Sequence, residues 1–303
     1  MIIRHIFALM VTGVVALVLA SAGPVHMAGG TEALDQRSET GSGYCDTPPE
    51  FATIFDGMAG IEASSITAPS PDPEPESACP EGMVRVVGQY CTEVKHECLE
   101  WLDDSTLPYA RCARYANPST CVGRRVSMDF CMDRYEYTRP GEALPANYMS
   151  FATGQKLCRT LGKRLCTESE WNFACEGEEL RPYPYGWERE PKCNQDRSDL
   201  FERKLVDGKF RQVLKDLREP SAEDSECVSP FGIVNLAGNL DEPVLREATR
   251  FSPPFRNALK GGWWMAARNR CRPATTAHDD FYQDIQVGVR CCADVPGDSA
   301  PTG

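Results

Sequence analysis

Cysteine is the residue type with the most chemical potential in this sequence, which contains 15 cysteines among 303 residues. No two cysteines have C-x-x-C spacing, which excludes zinc ribbons and thioredoxin-type redox motifs. The chain has four histidines, and His5 and His26 lie close to its start, so a multi-histidine metal centre is not expected. The cysteines are expected to form disulfides if the chain is exported to an oxidising compartment.

A second group of reactive side chains lies close together in the sequence between 263 and 282. Aromatic faces beside arginines and carboxylates suit a polar or sugar-like ligand. The alternative is that Trp263 belongs to the core and that the arginines form structural salt bridges. His278 beside Asp279 could act as an acid–base pair, although such a neighbouring pair more often has no catalytic role. The group comprises Trp263, Trp264, Arg268, Arg270, Arg272, His278, Asp279, Asp280 and Tyr282.

Composition and the remaining motifs narrow the function classes. The net charge of −12 argues against nucleic acid as a partner, because phosphate binding needs a basic surface. A hydrophobic content of 42% is too high for a wholly disordered chain. The sequence contains no G-x-S-x-G, P-loop, H-E-x-x-H or G-x-G-x-x-G motif. The expected partner is a polar ligand, a polypeptide or a glycan.

The N-terminus predicts export. A short basic start precedes an apolar run from Ile6 to Ala20, and A-S-A at 20–22 is a typical cleavage signal. We predict a signal peptide over 1–22; the alternative is an uncleaved anchor, although the run is shorter than the ~20 residues that a membrane-spanning helix needs. The mature protein would then be periplasmic, cell-surface or extracellular, and would contact a membrane only through the signal peptide before cleavage.

The remaining sequence divides into four segments. Residues 23–78 are predicted to be a disordered Pro-rich linker, and 79–123, with five cysteines, a Cys-rich subdomain. Residues 124–295 carry most signals of regular structure, and 296–303 form a short polar tail. Because the number of cysteines is odd, Cys45 in the linker is the candidate for a cysteine that is unpaired or forms an intermolecular bond.

Local signals place helices within the main segment. Ser150 is expected to cap a helix that ends at Gly162, and Thr167 with Glu170 forms the capping box of a second helix. Apolar residues from 199 to 217 predict a further helical segment, interrupted at an Asp-Gly pair. Helices among much irregular chain predict an α+β fold.

Six motifs resemble, in order, those of the formylglycine-generating enzyme family, whose domain is the sulfatase-modifying factor domain. The resemblance spans roughly Met128 to Cys292 and leaves the segment 187–226 uncovered. It implies a disulfide-rich, C-type-lectin-like α+β domain with little regular secondary structure. The motifs are Cys131-Met-Asp-Arg-Tyr-Glu-Tyr137, Gly162-Lys-Arg-Leu-Cys-Thr-Glu-Ser-Glu-Trp171, Tyr183-Pro-Tyr-Gly186, Gly232-Ile-Val-Asn-Leu-Ala-Gly-Asn239, Leu259-Lys-Gly-Gly-Trp263 and Gly288-Val-Arg290.

The family's best-known activity is oxidation of a sulfatase cysteine to formylglycine with O₂ and copper, which needs two neighbouring thiolates because Cu(I) prefers sulfur. In active members both cysteines follow the G-G pair, in an interval that here runs from Trp263 to Arg270 and contains no cysteine. Spacing to the terminal G-x-R-C aligns Cys271 with a structural disulfide cysteine of the family. A shifted alignment that puts Cys271 on the second catalytic position still leaves Ala266 at the first. The resemblance therefore implies a member without the catalytic pair, for which copper is not expected.

The family also binds calcium through an N-x-x-G-x-x-x-E loop. The resemblance implies calcium as a cofactor, held by Asn235, Gly238, Leu240 and Glu242. Calcium takes six to eight oxygen ligands, so water would have to complete the set. The family's usual E-W-T is E-P-V in this sequence, and the alternative is an ordinary turn with a surface glutamate.

The resemblance further implies two disulfides, Cys158–Cys291 and Cys175–Cys271, and it places the segment 263–282 along the family's substrate groove. Cys291 and Cys292 are neighbours, and side chains alternate along a strand, so these two cysteines need different partners.

The expected function is an exported, calcium-stabilised, non-oxidase module that binds a ligand or serves as a scaffold. One alternative is a formylglycine-generating oxidase or a related enzyme with altered chemistry, which a free pair of cysteines in the groove would favour. Another is a cell-surface structural protein that is tethered by the linker.

Overall fold

The computed structural model describes residues 79–221, 225–247, 256–267 and 269–296, all of which belong to one compact unit, Thr67–Gly303. Within these ranges there are thirteen strands and two helices. In chain order they are β1 (Met83–Cys91), β2 (Val94–Lys95), β3 (Cys98–Trp101), β4 (Cys112–Tyr115), β5 (Thr120–Cys121), β6 (Arg125–Asp133), α1 (Phe151–Thr160), β7 (Arg164–Leu165), α2 (Glu168–Glu176), β8 (Phe201–Val206), β9 (Lys209–Leu214), β10 (Glu242–Leu245), β11 (Asn257–Lys260), β12 (Ala274–Thr275) and β13 (Cys291–Asp294).

Several predictions fall on residues that the structure does not describe. The signal peptide, the Pro-rich linker with Cys45, and Arg268 lie outside the described ranges, as does the tail from 297 onwards. Among the described helices, neither has the length and apolar character that crossing a membrane requires.

A four-stranded antiparallel sheet forms the centre of the fold, with the order β1-β6-β13-β7. β1 and β6 pair over nine residues, from Met83 opposite Asp133 to Cys91 opposite Arg125. β13 lies beside β6 and joins the short β7 on its other side. β1 lies within the predicted Cys-rich segment 79–123, so this segment supplies the first strand of the main sheet.

Helix α2 packs against this sheet. Its Trp171, Phe173 and Cys175 are fully buried and share one core cluster with Val86 of β1 and Phe130 of β6. Residues 170–176 of α2 are buried on every side of the helix, and the alternation along each strand turns one set of side chains towards them. The loop from Asn235 to Glu242, which resembles a calcium-binding loop, is called the calcium-like loop below. A separate small sheet, β10-β11-β12, follows it, and β11 of this sheet leads into the segment that begins at Gly261.

Both predicted helix starts are confirmed. The Ser150 hydroxyl accepts a hydrogen bond from the Thr153 amide at 3.1 Å. The Thr167 hydroxyl accepts from the Glu170 amide at 3.2 Å, and the Glu170 carboxylate accepts from the Thr167 amide at 2.8 Å. These side chains satisfy amides that a helix start leaves without a backbone partner.

The helical prediction for 199–217 is wrong, because this segment forms the hairpin β8–β9. Asp207 and Gly208 make a two-residue turn, with φ values of 51° and 71°. Left-handed φ at both central residues is the type I′ arrangement whose twist matches that of paired strands. Leu205 and Phe210 are 63% and 67% exposed, so the apolar pattern that resembled a buried helix face covers no core.

Seven disulfides connect the fourteen cysteines of the described residues. The structure pairs Cys158 with Cys291 and Cys175 with Cys271, as the resemblance implied, and it gives Cys291 and Cys292 different partners. The bonds are Cys79–Cys131, Cys91–Cys121, Cys98–Cys112, Cys158–Cys291, Cys166–Cys292, Cys175–Cys271 and Cys193–Cys227.

Candidate functional site

A cavity of about 370 Å³, called the Trp263 cavity below, lies beside the chain segment that follows β11. Gly261 and Gly262 turn the chain towards it with φ values of 83° and 76°. A Cβ at Gly262 would lie 2.6 Å from the Asn269 carboxamide, so only glycine allows this approach. The cavity is lined by Pro108, Tyr109, Asp241, Leu259, Gly262, Trp263, Met265, Ala267, Asn269, Pro273, Ala274 and Thr275.

The two neighbouring tryptophans have different roles. Trp264 is fully buried, and its carbonyl oxygen accepts a hydrogen bond from the Arg197 amide at 2.8 Å. Trp263 is partly exposed and lines the cavity, with its ring edge-on to that of Trp264 at a centroid distance of 5.4 Å. Trp264 is therefore a core residue, and Trp263 is the tryptophan that a ligand in the cavity can contact.

Two buried polar side chains in the cavity lining were missed by the sequence analysis. Burial raises the pKa of Asp241 to about 7; a hydrogen bond from the Gly262 amide lowers it, and the charge of Glu242 raises it further. Asn269 donates its amide hydrogens to the carbonyls of Trp263 and Met265, and its own Oδ1 is buried without a hydrogen-bond partner. The position of Asp241 beside Glu242 in the loop was a sequence signal that could have identified it. No sequence signal marked Asn269.

Arg272 makes structural contacts within the fold. Its Nε donates to a Glu176 carboxylate oxygen at 2.6 Å, its Nη2 donates to the Cys91 carbonyl at 2.6 Å, and its guanidinium lies over the Tyr90 ring. These contacts join the end of α2 to the end of β1. The interpretation of this arginine as a structural salt bridge fits its place in the structure.

Arg270 lies at a different position, next to His96. Its guanidinium lies 5.4 Å from the centre of the Tyr115 ring and 3.5 Å from His96 Nδ1, while His96 Nε2 lies 2.9 Å from the Leu180 carbonyl oxygen. Burial lowers the pKa of His96 to about 4, the hydrogen bond to Leu180 opposes this shift, and the charge of Arg270 adds to it.

His278 and Tyr282 lie on a shallow hollow of their own, which Asp279 also lines. The His278 ring stacks on the Tyr282 ring at 3.6 Å. The Asp279 carboxylate accepts from the Phe281 amide at 2.8 Å, as in an Asx turn. Asp280 forms an ion pair with Arg256 at 2.6 Å. The described residues of the predicted groove are thus distributed over several places, and Trp263 is the one that lines the cavity.

The four implied calcium ligands lie next to a polar cluster around Glu136. Asn235 Nδ2 and Asn239 Nδ2 donate to the Glu136 carboxylate at 3.1 and 2.8 Å. Burial raises the pKa of Glu136 to about 7, and the charge of Arg290 opposes this rise. Asn235 and Gly238 have φ values of 62° and 74°, so the loop makes the tight turns that its sequence pattern suggests.

Glu242 fits a calcium ion poorly. Its carboxylate accepts from Arg290 Nε at 3.0 and 3.1 Å and from Trp171 Nε1 at 2.7 Å, and it lies 2.8 Å from Arg290 Nη2. The charge is balanced and the acceptor positions are filled. Asn235, Gly238 and Leu240 offer side-chain or backbone oxygens of the type that calcium binds, so the set fits calcium in part. Within the described ranges, no cluster of three or more His, Cys, Asp or Glu side chains is placed to hold a metal.

Cys271 is bonded to Cys175, with a Cα–Cα distance of 5.4 Å, and both residues are fully buried. The Cys271 amide donates to the Pro182 carbonyl at 2.9 Å, which fixes the backbone next to the bond. All fourteen cysteines of the described residues are held in disulfides. The sulfur of Cys271 is therefore not a thiolate in this structure.

Comparisons with known proteins identify similar chains. Residues 94–295 match the family described as Sulfatase-modifying factor enzyme 1-like domain. YfmG, an uncharacterized protein of Bacillus subtilis strain 168, is 24% identical over 180 residues, which cover 50% of this chain and 36% of that protein. The chain therefore spans little more than a third of that relative's length.

Solved structures show low sequence identity. CarF aligns with a TM-score of 0.43 and 13% identity, covering 70% of this chain and 98% of that one. Treponema denticola variable protein 1 aligns with a TM-score of 0.40 and 11% identity, covering 66% of this chain and 99% of that one.

The family match extends over more than half of the chain. Two short helices, short strands and seven disulfides agree with the family's architecture, and the expected C-type-lectin-like α+β fold of formylglycine-generating enzymes is confirmed. The many disulfides also indicate an oxidising environment. The chain therefore belongs to the family of sulfatase-modifying factor enzyme 1-like domains.

Proposed function

We propose that this protein is an exported, non-oxidase member of the family that acts as a ligand-binding or scaffold module. The observation that carries the proposal is the absence of cysteine from the interval 263–270, together with the Cys175–Cys271 disulfide, which leaves Cys271 without a free thiol. Cys271 is the cysteine nearest to the family's catalytic interval, and a disulfide sulfur does not offer the thiolate that Cu(I) binds. Ala266 stands where a shifted alignment would need the other thiolate.

The export part of the proposal rests on two independent features. The first 22 residues have the order of a signal peptide, with a basic start, an apolar run and a small-residue exit. Seven disulfides require an oxidising compartment to persist. The proposed location is the periplasm, the cell surface or the extracellular space.

Calcium is proposed as a stabilising ion of the loop from Asn235 to Glu242. The supporting features are the loop's sequence pattern and its left-handed turns at Asn235 and Gly238. Asn235 and the carbonyl groups of Gly238 and Leu240 would hold the ion with water. Calcium, when bound, would supply a positive charge that orders these oxygen atoms, while Glu242 stays paired with Arg290.

The test of the non-oxidase proposal is an activity assay on the purified mature chain. A peptide with the C-x-P-x-R motif is incubated with the protein, Cu(I) and O₂, and mass spectrometry detects conversion of its cysteine to formylglycine. We expect no conversion, whereas a known oxidase of the family provides the positive control. Copper-dependent turnover that is lost in Cys271→Ser would contradict the proposal.

A further inference from the structure

We infer that the β8–β9 hairpin docks the protein on the surface of an anionic lipid bilayer. Its apolar face would enter the boundary between the lipid headgroups and the acyl chains, and its basic side chains would contact lipid phosphates. The inference goes beyond the proposed function and beyond the expectation that only the signal peptide contacts a membrane. An element that lies on a bilayer needs no membrane-spanning helix.

The first argument is the division of the hairpin into two unlike faces. Residues directly opposite each other in an antiparallel pair point to the same side of the sheet, and so do alternate residues along a strand. The register of β8 and β9 therefore separates most of the apolar side chains from most of the basic ones. The apolar face carries Phe201, Leu205, Phe210 and Leu214, and the opposite face carries Lys204, Lys209 and Arg211.

The second argument is the exposure of the apolar face. None of the residues 201–214 is buried, and Phe201, Leu205 and Phe210 are 53%, 63% and 67% exposed. A hairpin of two strands without a buried face is only marginally stable in water. Insertion at the boundary of a bilayer would remove these apolar side chains from water, which is favourable.

The third argument is charge. Residues 201–214 contain four basic and two acidic side chains, although the whole chain has a net charge of −12. Lys204 and Arg211 lie directly opposite each other, which is unfavourable for two like charges. Lys204 pairs with Glu202 at 2.7 Å, whereas within the described ranges no ion pair includes Lys209 or Arg211. Anionic lipids would supply counter-charges, and each basic residue near such a surface adds to the attraction.

Arg203 is compatible with this placement, although it lies on the apolar face. Its guanidinium lies 5.4 Å from the centre of the Phe210 ring. Arginine can bury its methylene stem along an apolar surface while its charged end stays in a polar layer. At the boundary of a bilayer, that end would reach the phosphates while Phe210 enters the acyl region.

A bilayer suits the apolar face better than a second copy of the chain does. Four apolar side chains are too few to bury the ~1,200 Å² that a specific protein interface usually needs. Stacking two such faces would also place Arg203 of both copies in one contact, where like charges repel each other. A bilayer needs no matching surface shape, and its negative charge is complementary to the hairpin.

Co-sedimentation of the purified mature chain with lipid vesicles tests the inference. One set of vesicles contains equal amounts of phosphatidylcholine and phosphatidylglycerol, and the other contains phosphatidylcholine alone. We expect at least about tenfold tighter binding to the anionic vesicles, because several basic side chains contribute to the attraction. Raising the salt concentration should weaken this binding, since salt screens charges at a surface.

Variants of the apolar face then assign the binding to the hairpin. Leu205→Ser/Phe210→Ser removes two exposed apolar side chains and should weaken binding to the anionic vesicles about tenfold or more. The matched control is Leu99→Ser/Phe281→Ser, which makes the same two exchanges at residues outside the hairpin that are 49% and 75% exposed. The control should bind as the natural protein does.

A variant of the basic face provides a second test. Lys204→Gln/Arg211→Gln removes two like charges that lie opposite each other, so the variant should still form the hairpin. It should weaken binding to the anionic vesicles about tenfold or more. Lys95→Gln/Arg124→Gln changes the net charge equally at exposed positions outside the hairpin and should have a smaller effect.

Four results would overturn the inference: no binding to vesicles, equal binding to both kinds of vesicle, equal effects of the hairpin variants and their controls, or a dimer in solution that Leu205→Ser/Phe210→Ser dissociates. The last result would assign the apolar face to a second copy of the chain. None of these results affects the non-oxidase proposal, which depends on the copper assay alone.

Discussion

Arg290 and Glu242 connect the C-terminal G-x-R motif to the calcium-like loop through a buried ion pair. Arg290 is 1% exposed and also donates to the carbonyls of Asp133 and Val234. The arginine therefore neutralises Glu242 and joins three segments that are far apart in the sequence. Removing one partner of a buried pair leaves an uncompensated charge, which is strongly destabilising.

We therefore predict that Arg290→Met lowers the free energy of unfolding by about 3–5 kcal/mol in urea denaturation. The matched control is Arg139→Met, because Arg139 pairs with Glu142 on the surface, where the side chains are 44% and 48% exposed. The control should lose no more than about 1 kcal/mol. Similar losses in both variants would show that the buried pair contributes no more than a surface pair.

His96 makes stability depend on pH through its burial beside Arg270. Its pKa is lowered from 6.5 to about 4 in the folded state, chiefly by burial. The unfolded chain therefore binds more protons than the folded one between pH 6.5 and pH 4, and the folded state loses stability as the pH falls through this range. Above pH 6.5 both states carry a neutral imidazole, and the effect is absent.

In His96→Gln we expect a smaller drop in unfolding free energy between pH 7 and pH 4.5 than in the natural protein. The difference should be about 1–2 kcal/mol, because one pKa unit corresponds to ~1.4 kcal/mol and the partly exposed ring reduces the full effect. His278→Gln is the control, since His278 lies on a shallow surface hollow. Parallel pH curves for the natural protein and His96→Gln would contradict this assignment.

Among the elements, α2 carries the clearest local signal. Thr167 and Glu170 exchange hydrogen bonds with each other's amides at its start. Thr167→Ala should lower the free energy of unfolding by about 1 kcal/mol, because one amide of the first turn loses its partner. Ser169→Ala, two positions later in the first turn, tests for a general effect of a lost hydroxyl. If the two variants are equally stable, the cap contributes nothing.

Local signals predicted elements correctly where a side chain forms a hydrogen bond with a backbone amide only a few residues away, as in the caps at Ser150 and Thr167. The hairpin β8–β9 was predicted as a helix because its apolar residues also fit helical spacing, although the Asp207-Gly208 turn was present in the sequence. Spacing alone does not show which apolar residues are buried, and in this hairpin large apolar side chains are exposed.

The calcium-like loop is the element whose metal dependence can be measured directly. If Asn235 and the loop carbonyls hold calcium, the ion should raise the melting temperature and chelation should lower it. A concentration ~100-fold above Kd would add about 2.7 kcal/mol to the free energy of unfolding. Magnesium is the control, because it needs smaller, near-octahedral sites. A melting temperature that chelator leaves unchanged would show that protein contacts alone hold the loop.

For the whole molecule, the motifs were sufficient to assign the family but not to assemble the site. The segment 263–282 was predicted to lie along one groove, yet Trp263, Arg272 and His278 occupy separate places because each is fixed by partners elsewhere in the chain. Asp241 and Asn269 both line the Trp263 cavity although they are far apart in the sequence. Such a grouping is a property of tertiary structure and has no local signal.

Three disulfides connect the C-terminal part of the chain to earlier elements, at separations of 133, 126 and 96 residues. In the chain-entropy model, a bond that closes a loop of ~100 residues stabilises the folded state by about 4–5 kcal/mol, since the unfolded chain loses freedom. The Cys175–Cys271 bond additionally joins α2 to the chain segment that lines the Trp263 cavity. The Cys98–Cys112 bond closes a much shorter loop within the β3–β4 hairpin, with a separation of 14 residues.

We predict that the double variant Cys175→Ala/Cys271→Ala unfolds at lower urea concentration than Cys98→Ala/Cys112→Ala. The model puts the larger loss at about 4–5 kcal/mol and the smaller near ~3 kcal/mol, because the shorter loop restricts the unfolded chain less. Burial of the core pair adds to the difference, since both Cys175 and Cys271 are fully buried. Peptide mapping without reduction provides the control that the remaining bonds are intact. Equal stabilities of the two double variants would contradict the prediction. A free thiol at Cys271 in the natural protein, found by the same peptide mapping, would contradict the disulfide itself and make copper chemistry at this residue possible.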